Sequence, residues 1–305
     1  MQSQADKDTI GAAPQVAVAA HESLVRQTVR RFVRHRLAVV GVVILAAVAL
    51  LAIVAPFFLQ DPYFADFMTS KPPAAPGPTH FLGTDTSGRD VFARVFHGAR
   101  ISLIVGFGAV AVYLALGTAI GLAAGFLGGP VDQVLMRITD TVLSIPLLLL
   151  VIIFVSVVGP SLISVIVVIG LLGWPGVARI VRGQLLALRE AEFITAARVL
   201  GVGDRRIVFN HVLPNLIGPL TVVATFGIAS AVILEASLSF LGLGVQAPTP
   251  SLGNMIIEAR RPAVLRNALW LWLPPGILIA LLVLGVNFIG DGLRDALDPR
   301  SQRRT

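Results

Sequence analysis

The sequence predicts an all-α membrane protein of six transmembrane helices with both termini in the cytoplasm. Three observations predict it. Of the 305 residues, 55% are hydrophobic and only 13% charged, with mean hydropathy +0.84; a soluble domain carries roughly 25% charged residues. Six apolar runs approach the roughly 20 residues a helix needs to cross a bilayer. With the N-terminus inside, 17 of the 24 lysines and arginines fall in cytoplasmic segments and 7 outside, the bias expected of cytoplasmic loops. Topology thus accounts for the net charge of +7, and nucleic acid is not needed as a partner.

In chain order, residues 1–25 read as a mobile cytoplasmic tail. A unit of residues 26–101 follows: a basic collar beside lipid headgroups, a first span at 37–59 and an extracytoplasmic loop with a proline-rich spacer at 71–78. Residues 102–291 form a core of five spans, at 102–126, 138–158, 161–177, 216–238 and 268–289, and residues 292–305 a second cytoplasmic tail. In the second span Gly117, Gly121 and Gly125 recur every four residues, a stripe that lets helices approach closely, within this chain or against a paired subunit. In the third, Arg137 and Asp140 are spaced for a local ion pair, and Pro146 should bend the helix. Trp174-Pro175-Gly176 should kink or end the fourth. The fifth carries Glu235, an intramembrane acid that either faces a pathway or makes a structural hydrogen bond. Glu235, Asp140 and Pro146 are the pathway or gate candidates. His80, Asp85 and Asp90 could suggest a metal, but capping of a helix that enters the membrane suits them better, and no metal site is assigned.

The most informative stretch is polar and lies between two spans, residues 189–214. Phe193, Ile194, Ala197 and Leu200 have helical spacing, and Gly201 stands where a left-handed C-terminal cap belongs. Asp204 can start a second short helix through Asn210, and Pro214 opens the next span. Ala196-Ala197 leave a bare notch of backbone, with Arg189, Arg198, Arg205 and Arg206 around it. This is the pattern of a docking element.

The spacing from Ala196-Ala197 through Gly201 to His211, Leu213 and Pro214 resembles the cytoplasmic coupling motif of permease subunits in bacterial ABC importers. Thr195 stands where that motif usually has glutamate; Glu190 and Glu192 lie just upstream. Further stretches resemble the C-type inner-membrane permease of dipeptide, oligopeptide and nickel importers: His80 to Asp85, Gly88 to Asp90, Gly98 to Leu103, Leu143 to Pro146, Ile233 to Asn254 and Asn287 to Arg300. The resemblance implies the fold of a type I ABC importer permease in the bacterial inner membrane, with di- or oligopeptides, nickel or peptide-like solutes as cargo. It implies four kinds of partner: a homologous second permease, two cytoplasmic ATPases, an extracytoplasmic solute-binding protein and the bilayer. It assigns ATPase coupling to Glu190, Thr195, Ala196, Ala197, Arg198, Gly201, His211, Leu213 and Pro214.

Enzymatic readings find no support. There is no cysteine, and the only lysines, Lys7 and Lys71, lie in no phosphate loop, so ATP and magnesium belong to partner subunits. The five histidines form no H-E-x-x-H pair, no G-x-S-x-G elbow occurs, and Gly290-Asp291 lacks the catalytic context of an intramembrane protease. An ion-coupled carrier is the alternative function, but it would show inverted repeats and several midmembrane charges. A membrane scaffold explains the hydrophobicity and leaves the hairpin without a purpose.

Overall fold

The computed structural model describes residues 24–67 and 71–297, without the side chains of residues 24, 25, 197, 198, 204 and 205. The expected 1–25 tail therefore lies almost wholly outside the described residues, as do residues 298–305. The helices are α1 (Leu24–Arg34), α2 (Arg36–Phe58), α3 (Val91–Leu127), α4 (Gly129–Leu143), α5 (Leu147–Val158), α6 (Leu162–Arg189), α7 (Glu192–Val199), α8 (Asp204–Ile207), α9 (Leu213–Phe240), α10 (Leu252–Ile256), α11 (Pro262–Asn267) and α12 (Leu273–Leu297). A π-helical turn, Val208–Val212, joins α8 to α9. Among the described residues the only β pairing is two isolated bridges, Ala65 with Arg89 and Thr84 with Asp90.

By length and composition α2, α3, α6, α9 and α12 can each cross a membrane; α4 and α5 together make a sixth candidate, bent by 87°. Pro146 causes the bend. It disfavours helical backbone at the residue before it and cannot donate to the turn behind it. The chain leaves α4 at Ser144 and restarts with Pro146 as the N-cap of α5. The third span is thus two helices. Pro175 does not end its helix: α6 runs through it. Neighbouring helices can support a proline within the membrane, and here α6 is packed against α3 on both sides of it. The second span is also longer than its apolar core suggests. Asp90 caps α3, accepting from Ala93 N at 2.8 Å, so the helix starts eleven residues before residue 102 and the expected boundary at 101/102 falls inside it. The boundary at 291/292 likewise falls inside α12.

The central packing is α3 against α6. A Cβ on Gly117 would stand 2.5 Å from Val177 Cβ, one on Gly121 2.6 Å from Ala178 O, and one on Gly125 2.8 Å from Leu185 Cδ2. In lipid, helices gain little from hydrophobic transfer and associate through such close contact. The stripe is therefore spent within this chain, on α6, and does not form the contact with a paired subunit that its spacing left open. One core surrounds this seam and includes Val105, Ala109, Val168, Val181, Leu185 and Leu238. A second, between α2, α3, α10 and α12, includes Val48, Ala52, Val95, Leu252, Leu278 and Leu282.

Candidate functional site: a membrane groove and a helical hairpin

Residues from α3, α5, α6 and α9 enclose a groove of about 680 Å³. Tyr113 contributes from α3, Leu147 and Leu148 from α5, Gly173, Gly176 and Ile180 from α6, and Phe226, Gly227, Ser230 and Ser237 from α9. None of its lining residues carries a charge. The hydroxyls of Ser230 and Ser237 donate to carbonyls of their own helix, Phe226 O at 3.0 Å and Ile233 O at 2.8 Å. Such a wall offers shape without charged groups. Sequence reasoning missed this surface. Its one available signal was Tyr113, one of only two tyrosines and alone in an apolar span. Gly227 makes room for it: a Cβ there would collide with the Tyr113 hydroxyl.

Of the pathway candidates, Pro146 stands at the edge of the groove, immediately before Leu147 and Leu148. Asp140 does not pair with Arg137 as its spacing suggested; its Oδ1 accepts from Arg179 Nη2 at 2.6 Å, with both side chains more than half exposed. A second bridge, from Arg182 to Asp132, is bidentate at 2.5 and 2.6 Å and better shielded. The two together hold α4 to α6. Glu235 lies outside the groove lining and is 0% exposed. Ser102 Oγ donates to its Oε2 at 2.9 Å and Ser239 Oγ to its Oε1 at 2.7 Å. Ser239 Oγ in turn accepts from Ser251 Oγ and Val245 N, each at 3.3 Å. Ser251 caps α10, so Glu235 is the end acceptor of a chain of donors that ties α3, α9 and the returning segment after α9 together. Of the two readings its sequence position left open, the geometry is that of the structural hydrogen bond.

The polar segment forms a hairpin, but its second arm departs from the pattern: α8 stops at Ile207, short of Asn210, and a π-helical turn, Val208–Val212, carries the chain directly into α9. α7 ends at Val199, Gly201 has φ +78°, and α8 begins at Asp204. Positive φ is the conformation that glycine adopts without steric cost. Ile194, Ile207 and Val212 are buried and seat the hairpin on Leu185 and Leu216. Arg189 departs from expectation: Nη1 donates to Gly125 O at 3.0 Å, fastening the end of α6 to the last turn of α3 instead of adding charge around the notch. Leu200 also departs from it. The cap turns the chain at Gly201, and Val199 and Leu200 stand 83% and 82% exposed. Glu190, Thr195, Ala196 and Gly201 are exposed, and a Cβ on Gly201 would meet nothing within 4 Å. His211 is half-buried with its ring 6.3 Å from that of Phe193, Leu213 is half-buried, and Pro214 is exposed in the first turn of α9. The side chains of Ala197 and Arg198 lie outside what the structure describes. The result is a seated hairpin whose outer surface combines bare backbone, Val199, Leu200 and the 66% exposed Phe209.

At the other end of α3 the candidates for metal binding are engaged elsewhere. Asp85 Oδ1 accepts from Ser87 N and Arg89 N, at 2.8 and 2.9 Å, and its Oδ2 lies 3.3 Å from Arg94 Nε. His80 Nδ1 is 2.9 Å from Asp90 Oδ2. Thr86 Oγ1 donates to Glu258 Oε1 at 3.0 Å, and Arg94 Nη1 donates to Pro62 O at 3.0 Å and to Pro248 O at 3.4 Å, so the loop before α3 and the start of α3 are stitched to the segment after α9. No group of metal-ligating side chains occurs among the described residues.

The family described as binding-protein-dependent transport system inner membrane component matches residues 117–303, and the N-terminal TM domain of oligopeptide transport permease C matches residues 23–74. The chain belongs to this family of inner-membrane permeases, and is a multi-pass protein of the inner membrane. It is 43% identical to the dipeptide transport system permease protein DppC of Alkalihalophilus pseudofirmus, over 90% of each chain. To the oligopeptide transport system permease protein OppC of Bacillus subtilis it is 39% identical, over 92% of this chain and 91% of the other. A chain of the inward-facing MetNI methionine ABC transporter superposes with a TM-score of 0.52 at 22% identity, covering 68% of this chain and 96% of that one, a likeness of fold. The function is that of a permease subunit of an ABC importer, a transport component, and the ion-coupled alternative is set aside.

Proposed function

We propose that this permease carries di- or oligopeptides, or closely related peptide-like solutes, across the inner membrane. It does so together with a homologous second permease, two ATPases that bind ATP and magnesium, and an extracytoplasmic solute-binding protein. The observation that carries this reading is the 43% and 39% identity, over about nine-tenths of each chain, to proteins named for dipeptide and oligopeptide transport. Both termini and the α7–α8 hairpin face the cytoplasm, as the 17 to 7 division of basic residues favours. Glu190, Thr195, Ala196, Ala197, Arg198, Gly201, His211, Leu213 and Pro214 make up the coupling element, and Val199 and Leu200 extend its contact surface. The groove of α3, α5, α6 and α9 is this chain's wall of the pathway. An uncharged wall leaves the choice of cargo to the binding protein, so peptides of differing side-chain chemistry share one route.

The test is uptake by the assembled importer in proteoliposomes. Labelled dipeptide should enter only with ATP and the binding protein, and the rate should be unchanged when the ion gradients are collapsed. Uptake of nickel but not of peptide would overturn the cargo, and uptake without ATP would overturn the mechanism.

A further inference from the structure

We propose that Tyr113 is the point at which the groove holds its cargo: the hydroxyl donates a hydrogen bond to a peptide-bond carbonyl, a group that every peptide carries. The inference rests on the reading of this groove as the chain's wall of the pathway. Only three side chains in the lining are polar, Tyr113, Ser230 and Ser237. The two serines already donate to carbonyls of α9, at 3.0 and 2.8 Å. Among the described residues the Tyr113 hydroxyl has no hydrogen-bond partner, although Tyr113 is only 8% exposed. A buried hydroxyl is costly to leave unpaired. Tyr113 is thus the one side-chain donor in the lining that the fold does not already use.

Two glycines fix the ring where it stands. A Cβ on Gly173 of α6 would lie 2.9 Å from Tyr113 Cδ1, and one on Gly227 of α9 would collide with the hydroxyl. The ring therefore reaches from α3 past α6 to α9, and its oxygen lies against Gly227, itself part of the lining. A donor held in place has little freedom left to lose on binding, and a hydroxyl turns about its C–O bond to meet its acceptor. A peptide that enters this groove brings a carbonyl out of water, and the serines, bonded to their own helix, leave it unsatisfied. Burying that carbonyl unpaired is costly. One bond to Tyr113 satisfies the cargo and the hydroxyl together. The cargo's side chains take no part in it, so one tyrosine serves peptides of any sequence.

The experiment uses the assembled importer in proteoliposomes, with ATP and saturating binding protein. Two labelled probes are compared: alanyl-phenylalanine, and the same dipeptide with a thioamide in place of its peptide bond, whose sulfur is a weak acceptor. Tyr113→Phe keeps the ring and removes only the hydroxyl, so membrane abundance should not change. Maximal uptake of the dipeptide should fall about two- to tenfold, and uptake of the thioamide by less than about twofold. An unchanged dipeptide rate would overturn the proposal. So would an equal loss for both probes, because a purely structural role slows them alike. The groove reading has its own control. This chain has no cysteine, so Ser230→Cys, with the other subunits' cysteines blocked, places a single thiol in the lining. A bulky thiol reagent there should stop uptake. Undiminished uptake after complete labelling would overturn the groove as pathway and this proposal with it. If the unaltered importer takes up neither probe, the peptide cargo itself is wrong, and the role given to Tyr113 falls with it.

Discussion

The α3–α6 seam and the α7–α8 hairpin both depend on glycine, for opposite reasons. In the seam Gly117, Gly121 and Gly125 are needed for what stands against them, since α6 occupies the space of their missing side chains. In the hairpin Gly201 is needed for its own φ of +78°, with nothing within 4 Å of the Cβ it lacks. The same residue type is thus a packing requirement in one region and a backbone requirement in the other. The seam is closed on itself, and the hairpin leaves its contact surface open. Substitutions can test that difference directly.

The largest effect should come from Gly121→Leu. Its Cβ would lie 2.6 Å from a backbone oxygen that cannot turn away and 2.7 Å from Val181 Cβ, so α3 and α6 must separate. We expect the chain to fail to accumulate in membranes, while Gly121→Ala accumulates but loses about 1–3 kcal/mol of stability; immunoblots of membrane fractions and thermal aggregation in detergent measure the two. Glu235→Ala comes next. It strips the acceptor from Ser102 and Ser239 and leaves a cavity, at a cost of about 1–3 kcal/mol for the unpaired buried groups. Thermal stability should fall, and Glu235→Gln, which keeps one carbonyl acceptor, should recover part of it.

Gly201→Val should act differently. A left-handed backbone costs a branched residue about 1–2 kcal/mol, but the site is open, so membrane abundance should stay near that of the unaltered chain while peptide uptake and ATPase co-purification fall. Leu200→Ser, which removes an 82% exposed side chain, should follow the same pattern more weakly. If Gly201→Val lowered abundance as far as Gly121→Leu, the contrast between open and closed regions would be wrong. The smallest effect belongs to Asp140→Asn. Its bridge to Arg179 is more than half exposed on both sides, and such pairs contribute about 0–1 kcal/mol. Asp132→Asn should cost more, since that bridge is bidentate and better shielded.

These regions also differ in how far the sequence announced them. The hairpin was legible because its signals are local: a cap glycine, a helix-length spacing and a proline at the next helix start. The glycine stripe announced close packing but not its partner, because periodicity within α3 carries no information about α6. The same limit hid the bridges from Arg179 and Arg182, which join residues 39 and 50 positions apart, and the groove, whose lining comes from four helices. Proline was legible in kind but not in degree. Pro146 and Pro175 look alike in sequence, yet one divides a span and the other sits inside an intact helix, and the difference is the support that α3 gives to α6. Glu235 was visible as an anomaly, but of the two serines that donate to it one lies on α3, and Ser251 reaches it only through Ser239.

The right-angled elbow at Pro146 has a consequence for the insulating layer itself. At 1.5 Å per residue, α5 with its 12 residues is about 18 Å long, whereas α2, α3, α6, α9 and α12 each measure about 35 Å or more. Because α4 turns away by 87°, at most one arm of the pair can stand along the membrane normal. The hydrocarbon layer is about 30 Å thick, so α5 by itself covers about three-fifths of it. Leu147 and Leu148 at the N-terminal end of α5 line the groove, so the short arm of the broken span stands beside the proposed route.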